Sequence, residues 1–215
     1  MRALLLALMA LCLMTAGASA ACPGQTGKLI YDDTFADDSG GWQLGAPDIE
    51  IKDGSLWLRP NPRGMNEKGR NISSTVRTFS ATDGDYCLEF VVPKPVAADN
   101  DIMTGLVFWQ VSPGEEYLWA IYTDGTAQLN RLVANKWTRI FAEHTGKLEP
   151  GTVAALRDIA KDGRLTLFVG DKQIKLIRAQ TPSGELTFGV LVEVEKLSDA
   201  NPVVQIKSYR VTAAE

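Results

Sequence analysis

Histidine occurs once in these 215 residues and cysteine three times. That scarcity excludes the usual four-ligand Cys/His zinc centre. His144 lies in the polar stretch AEHTGKLEPG and reads as a surface residue rather than a general base. There is no block of basic residues, and the net charge is −4. Such a chain is a poor partner for nucleic acid or for an anionic membrane surface. Beyond the first twenty residues, no apolar run approaches the ~20 residues of a membrane span. A Gly-x-Ser-x-Gly elbow, a phosphate-cradling P-loop and a dinucleotide-binding glycine fingerprint are also missing. No serine nucleophile or nucleotide site is therefore indicated.

The N-terminus carries a different signal. Arg2 supplies a positive charge, Ala3 to Leu13 are apolar, and Ala18-Ser19-Ala20 forms a small-x-small cleavage sequence. This pattern predicts a signal peptide over residues 1–20, cut after Ala20, and a secreted or periplasmic product. A retained membrane anchor and a lipid on Cys22 are the alternatives. Against the lipid, Ser19-Ala20-Ala21 lack the aliphatic residue of a lipobox. Cys12 falls in the leader, so Cys22 and Cys87 remain. In an oxidising compartment an even pair reads as a disulfide, with two free thiols as the alternative. Closing such a loop stabilises by up to ~4 kcal/mol in the chain-entropy model. Residues 21–215 are long enough for one sizeable core and short for two, so a single domain is expected.

Within that domain the strongest local signal is Asp-Gly, at Asp53-Gly54, Asp83-Gly84, Asp124-Gly125 and Asp162-Gly163, with Gly170-Asp171 as a further turn. Asp-Gly suits the positive-φ positions of tight hairpins. Between the turns apolar residues recur with a period of two. Leu56 and Leu58 alternate with Trp57, and Val190, Val192 and Val194 alternate with Leu191, Glu193 and Glu195. In Thr104–Val111 the alternation places Trp109 with Gly105 and Val107, opposite Leu106 and Phe108. Segment 153–160 has helix-favouring alanines, but its place before a hairpin predicts a strand. The whole predicts ten or more short strands, hence an all-β antiparallel sandwich.

Several segments resemble a known family. YDDTFADDSGGWQ (31–43), DGSLWLRP (53–60), TGLVFWQVSPGEEYLWAIYTDGTAQLNRL (104–132), ALRDIAKDGRLTLFVGDKQI (155–174) and GELTFGVLVE (184–193) are similar to secreted concanavalin A-like domains. These are the LamG-like and 3-keto-disaccharide hydrolase or family 16 glycoside-hydrolase-like modules of bacterial exported proteins. The resemblance implies a two-sheet jelly roll and says more about fold than about activity. Catalytic family 16 members carry three acids at alternating positions on one strand. The nearest match here, Glu193-Val194-Glu195, lacks the third. Some members hold a structural calcium through an aspartate in the final strand, where this chain has Lys207, so no metal or other cofactor is assigned.

The residues themselves offer few sites. Glu193 and Glu195 share a strand face and are weak catalytic candidates, since a glycosidase needs carboxyls ~5–9.5 Å apart. The other reading is a solvated strand end. Trp109, Tyr117, Trp119 and Arg131 could form an aromatic platform on which a sugar ring stacks. The alternative is that the rings fill the space between sheets. Trp42 and Trp137 read as core residues. Acidic loops at Asp32-Asp33, Asp37-Asp38 and Asp99-Asn100-Asp101 could offer calcium oxygens or simply form turns. Asn71-Ile72-Ser73 is a formal glycosylation sequon. The functional expectation is a secreted carbohydrate- or ligand-binding module whose partner is a saccharide or cell-envelope glycan. A glycoside-hydrolase-like enzyme and a structural or protein-interaction domain are the alternatives.

Overall fold

The computed structural model describes residues 22–45, 47–62, 69–80, 82–95, 100–196 and 202–215. Residues 1–20, where a signal peptide is expected, and Asp99 lie outside them. The described elements are all strands. In chain order these are β1 (Leu29–Asp33), β2 (Ile49–Lys52), β3 (Ser55–Leu58), β4 (Asn61–Pro62), β5 (Gly69–Ser74), β6 (Gly84–Val91), β7 (Ile102–Ser112) and β8 (Glu115–Tyr122). They continue with β9 (Thr126–Val133), β10 (Lys136–His144), β11 (Val153–Lys161), β12 (Arg164–Val169), β13 (Lys172–Arg178), β14 (Thr187–Val194) and β15 (Val204–Thr212).

Two antiparallel sheets pack face to face. The back sheet runs β13-β12-β11-β6-β15-β3-β2, with β1 also paired to β15. The front sheet runs β10-β9-β8-β7-β14-β5-β4. The expected jelly-roll sandwich is therefore the observed fold, and segment 153–160 is strand β11. The Asp-Gly turns explain much of the local wiring. Asp53 and Gly54 (φ 51° and 63°) join β2 to β3, and Asp162 and Gly163 (φ 51° and 69°) join β11 to β12. Both central residues take positive φ, which suits the twist of tight hairpins. The β9–β10 hairpin achieves the same with Ala134 and Asn135. Asp83-Gly84 differs. It leads into β6, whose partners are β11 and β15, so it joins no hairpin.

The core lies between the sheets. Leu56 and Leu58, Leu88 and Phe90, Leu156, Val190, Val192, Val194 and Ile206 point into it, as strand alternation requires. Phe188 stacks on Tyr209 at 4.5 Å and meets Trp42 edge-on at 6.1 Å. The polar tips of buried rings find carbonyls across the sandwich. Tyr209 donates to Val107 O (2.9 Å) and Trp119 Nε1 to Phe168 O (2.9 Å). Rings of this size bury well only when the N–H or O–H is matched.

The N-terminal segment is fastened to the outer side of the back sheet. Cys22 forms a disulfide with Cys87 of β6, 65 residues away. Arg157 of β11 binds Asp85 through Nε (2.8 Å) and Nη2 (2.6 Å) and also reaches the Pro23 and Gly24 carbonyls. The expected bridge is thus present, and an ion-pair cluster reinforces it.

Candidate functional site

The aromatic platform expected from the sequence is not formed. Trp109 and Trp119 lie between the sheets with 1% and 0% of their surface exposed, and Tyr117 is buried beside Trp109. For Trp119 and Tyr117 this is ordinary alternation on β8. Trp109 is different, because strict alternation from Val107 would point it outward. A bulge in the pairing of β7 with β8 and a φ of 49° at Trp109 turn its ring inward. Its Nε1 then donates to Thr82 O at 2.7 Å. A bulge adds one residue to its strand and so reverses the facing of the residues beyond it. Arg131 does meet Tyr117, stacking 5.3 Å above its ring, but at the rim of the sandwich. There both side chains bond Gln180.

The outer face of the front sheet is the more informative surface. Its central positions are Met103, Val107, Leu118, Ala120 and Leu191, all buried although they point away from the core. Gly105 lies among them, and a Cβ there would come within 2.4 Å of Leu118 Cδ1. What covers this floor comes from opposite sides of the sheet. Arg70 of β5 lies 5.5 Å from the ring of Trp137 of β10. Strands β9, β8, β7 and β14 separate β5 from β10. On a flat sheet those five spacings would amount to about 24 Å, beyond the reach of the two side chains. The front sheet therefore curls outward into a concave face, and Arg70 and Trp137 meet across it. Trp137 is accordingly a groove residue, half-buried, and not the core residue that the sequence suggested.

Polar groups line this groove. Glu193 of β14 accepts from Arg70 Nε (2.6 Å) and Nη2 of the same guanidinium. Glu193 is thus held as one half of an ion pair, and Glu195 lies exposed beyond the end of β14. The central outward positions on the neighbouring strand β7 are Met103, Gly105 and Val107.

A cavity of about 360 Å³ occupies one end of the groove. Gln43, Ser74, Gln110, Glu116 and Thr187 line it, together with Arg70 and Trp137. Thr187 Oγ1 donates to Gln110 Oε1 (2.9 Å), and Gln110 Nε2 donates to Glu116 Oε2. Only 2% of Glu116 is exposed. Burial lifts its carboxyl to about 7, although the Gln110 bond and the nearby Arg70 charge pull the other way. At neutral pH a substantial fraction of Glu116 is therefore a neutral acid. The sequence contains no sign of this. Glu115 and Glu116 look like two surface acids after a turn, and only the curl of the sheet buries the second.

The other sequence candidates are used structurally. Asp33 accepts from Trp42 Nε1 (2.8 Å), Tyr31 OH (3.1 Å) and the Phe35 amide (2.7 Å). Asp32 pairs with Arg210, Asp37 accepts from the Ser39 amide and Asp101 accepts from Thr123. Lys207 directs its ammonium at Ser55 Oγ (2.8 Å) and Gly54 O (3.4 Å). Among the described residues no group of three or more His, Cys, Asp or Glu is arranged to hold a metal. The Asn71 amide is buried and donates to Arg59 O at 3.0 Å, which closes the sequon to modification in the folded state.

Two antiparallel sheets, the front one concave, define the class by fold: a concanavalin A-like jelly-roll sandwich. The solved structures it resembles include the carbohydrate recognition domain of Emp47p, at a TM-score of 0.65 and 16% identity, covering 87% of this chain and 98% of that one. Carbohydrate-binding module CBM66 from Bacillus subtilis matches at 0.56 and 11% identity, over 78% of this chain and 94% of that one. The Bacillus licheniformis β-glucanase matches at 0.60 and 13% identity, over 87% and 99%. No protein-family model and no curated protein matches the sequence.

Proposed function

We propose that this protein is an exported, non-catalytic saccharide-binding module and that the concave face of the front sheet is its binding face. The observation that carries the reading is the groove-end cavity of about 360 Å³, with amide, hydroxyl and carboxyl groups around one indole. Saccharide sites combine these elements: a flat apolar surface for the ring and a few fixed polar groups for its hydroxyls. Apolar residues at the centre of the face and the Arg70–Glu193 ion pair support binding over hydrolysis. The Cys22–Cys87 bridge supports an oxidising compartment, in keeping with a leader cut near Ala20. The fold shared with carbohydrate-binding modules and a lectin domain points the same way.

Affinity electrophoresis through gels containing neutral and acidic polysaccharides tests the reading. We expect retardation by at least one polysaccharide, lost in Trp137→Ala and kept in Trp57→Ala, a change on the opposite sheet. Migration unaffected by every polysaccharide would remove the proposal. Release of reducing ends from a retained glycan would replace it with the hydrolase reading.

A further inference from the structure

Glu116 is an expensive residue to place where it is. A buried carboxyl with incomplete hydrogen bonding costs free energy that an apolar residue at the same site would not. Its surroundings on the outer face are Leu118, Leu132 and Trp137, so packing alone would accept a leucine. Instead a relay holds it in place, running from Thr187 through Gln110 to Oε2. Among the described residues no hydrogen bond reaches Oε1, and that oxygen is not among the fully enclosed, unpartnered atoms. It therefore opens on the cavity that Glu116 lines.

Resting on the saccharide-binding reading above, we propose that Glu116 selects the groove's ligand. Its free oxygen donates a hydrogen bond to an uncharged, hydroxyl-rich sugar ring, and binding is released as the carboxyl loses its proton. The charges around the cavity favour a neutral ligand. Arg70 is the cation lining it, and its Nε and Nη2 are committed to Glu193 while its guanidinium carbon lies 5.5 Å from the centre of the Trp137 ring. A carboxylate or sulfate on a sugar would have to compete with Glu193 for that cation. The groups facing Glu116 from its neighbours are Gln110 on β7, Thr187 on β14, Leu132 on β9 and Trp137 on β10. Arg70 on β5, with Glu193 bonded to it, is the charge that acts on Glu116 from across the groove. Arg139 on β10 acts on Tyr122, at the other end of β8, and Glu115 is the adjacent acid on its own strand. Arg70 and Glu193 neutralise each other as an ion pair beside the cavity, so the charge there is balanced with Glu116 protonated and turns negative when Glu116 ionises.

The same polysaccharide gels test this at pH 5.5 and pH 8.5, using wild type, Glu116→Gln and Glu116→Ala. A β-1,3-glucan and a mixed-linkage β-glucan are the neutral probes, and alginate and polygalacturonate the acidic ones. If only the acid form binds, an acid near 7 leaves it scarce at pH 8.5. The apparent affinity of wild type for a neutral glucan then falls roughly thirty-fold. Glu116→Gln, which keeps a neutral donor of the same shape, should bind equally at both pH values. Glu116→Ala should bind weakly at both. Retention that does not change with pH, pH dependence that persists in Glu116→Gln, or retention by the acidic polymers alone would overturn this proposal and leave the saccharide-binding module standing. No retention of wild type by any polymer at either pH would overturn both. Wild type and Glu116→Gln alone decide the matter if the alanine variant does not fold.

Discussion

The buried acid in the groove has a consequence for stability that can be measured without any ligand. In the unfolded chain Glu116 titrates at the ordinary glutamate value of 4.5, and in the folded protein at about 7. Between those values the native state holds the proton and the unfolded state does not. The native state therefore binds more protons, and stability declines as pH rises through this window. Stability from this group is full below pH 4.5 and is lost by the time pH exceeds 7. At ~1.36 kcal/mol per pH unit the whole decline comes to about 3 kcal/mol. Glu116→Gln removes the titrating group and keeps an acceptor for Gln110 Nε2. Urea unfolding of both proteins, with the disulfide intact, at pH 4.5, 5.5, 6.5 and 8 provides the comparison. Wild-type stability minus that of the variant should fall by about 3 kcal/mol from the lowest pH to the highest. Other titrating groups are common to both proteins and cancel. A difference that stays flat, or that rises with pH, would refute the placement of a buried, protonated Glu116.

Residues outside the groove supply three further expected outcomes. Asp158 points into the core from β11 with 0% exposure and no hydrogen bond to either carboxyl oxygen; burial, with the Asp85 charge, pushes its carboxyl well above the usual range. Its native state also holds the proton, so Asp158→Asn should gain on wild type by up to ~1.4 kcal/mol per pH unit above about pH 4, read as a widening difference in urea midpoints. Arg157→Ala should destabilise by about 3 kcal/mol, because it strands the nearly buried Asp85 carboxylate and frees the Pro23 and Gly24 carbonyls. Thermal unfolding and hydrogen exchange at the β6–β11 pair would register it. Replacing Cys22 and Cys87 together by serine should cost about 4 kcal/mol for a loop of this length. Calorimetry would show the lowered Tm, with the concave-face groove unaffected on the opposite sheet.

Most of the strands were legible because their cues are local. Asp53-Gly54 and Asp162-Gly163 specify hairpins through backbone sterics, and the alternation of Val190, Val192 and Val194 separates a wet face from a dry one. The strands without such a cue, β1, β4 and β5, are short or polar, and β5 reads GRNISS. Its pattern means something only beside β14, which supplies the apolar partners. Asp83-Gly84 carried the hairpin signal without a hairpin, because β6 pairs with distant strands that no local motif can announce.

The site was much less legible than the fold. Alternation counted along β7 puts Trp109 on the outer face, and a single bulged residue moves it into the core. Burial of Glu116, and the meeting of Arg70 with Trp137, depend on the curvature of a whole sheet, to which every strand contributes a small twist. What the linear order of residues determined by itself was the alternation, the turns and the cysteine pair, since each is set by neighbours or by simple chemistry. Only the tertiary structure decided which face is concave, which tryptophan enters the groove and which acid loses its water. Those outcomes come from contacts between residues far apart in the chain, as with Arg70 and Glu193, 123 positions apart.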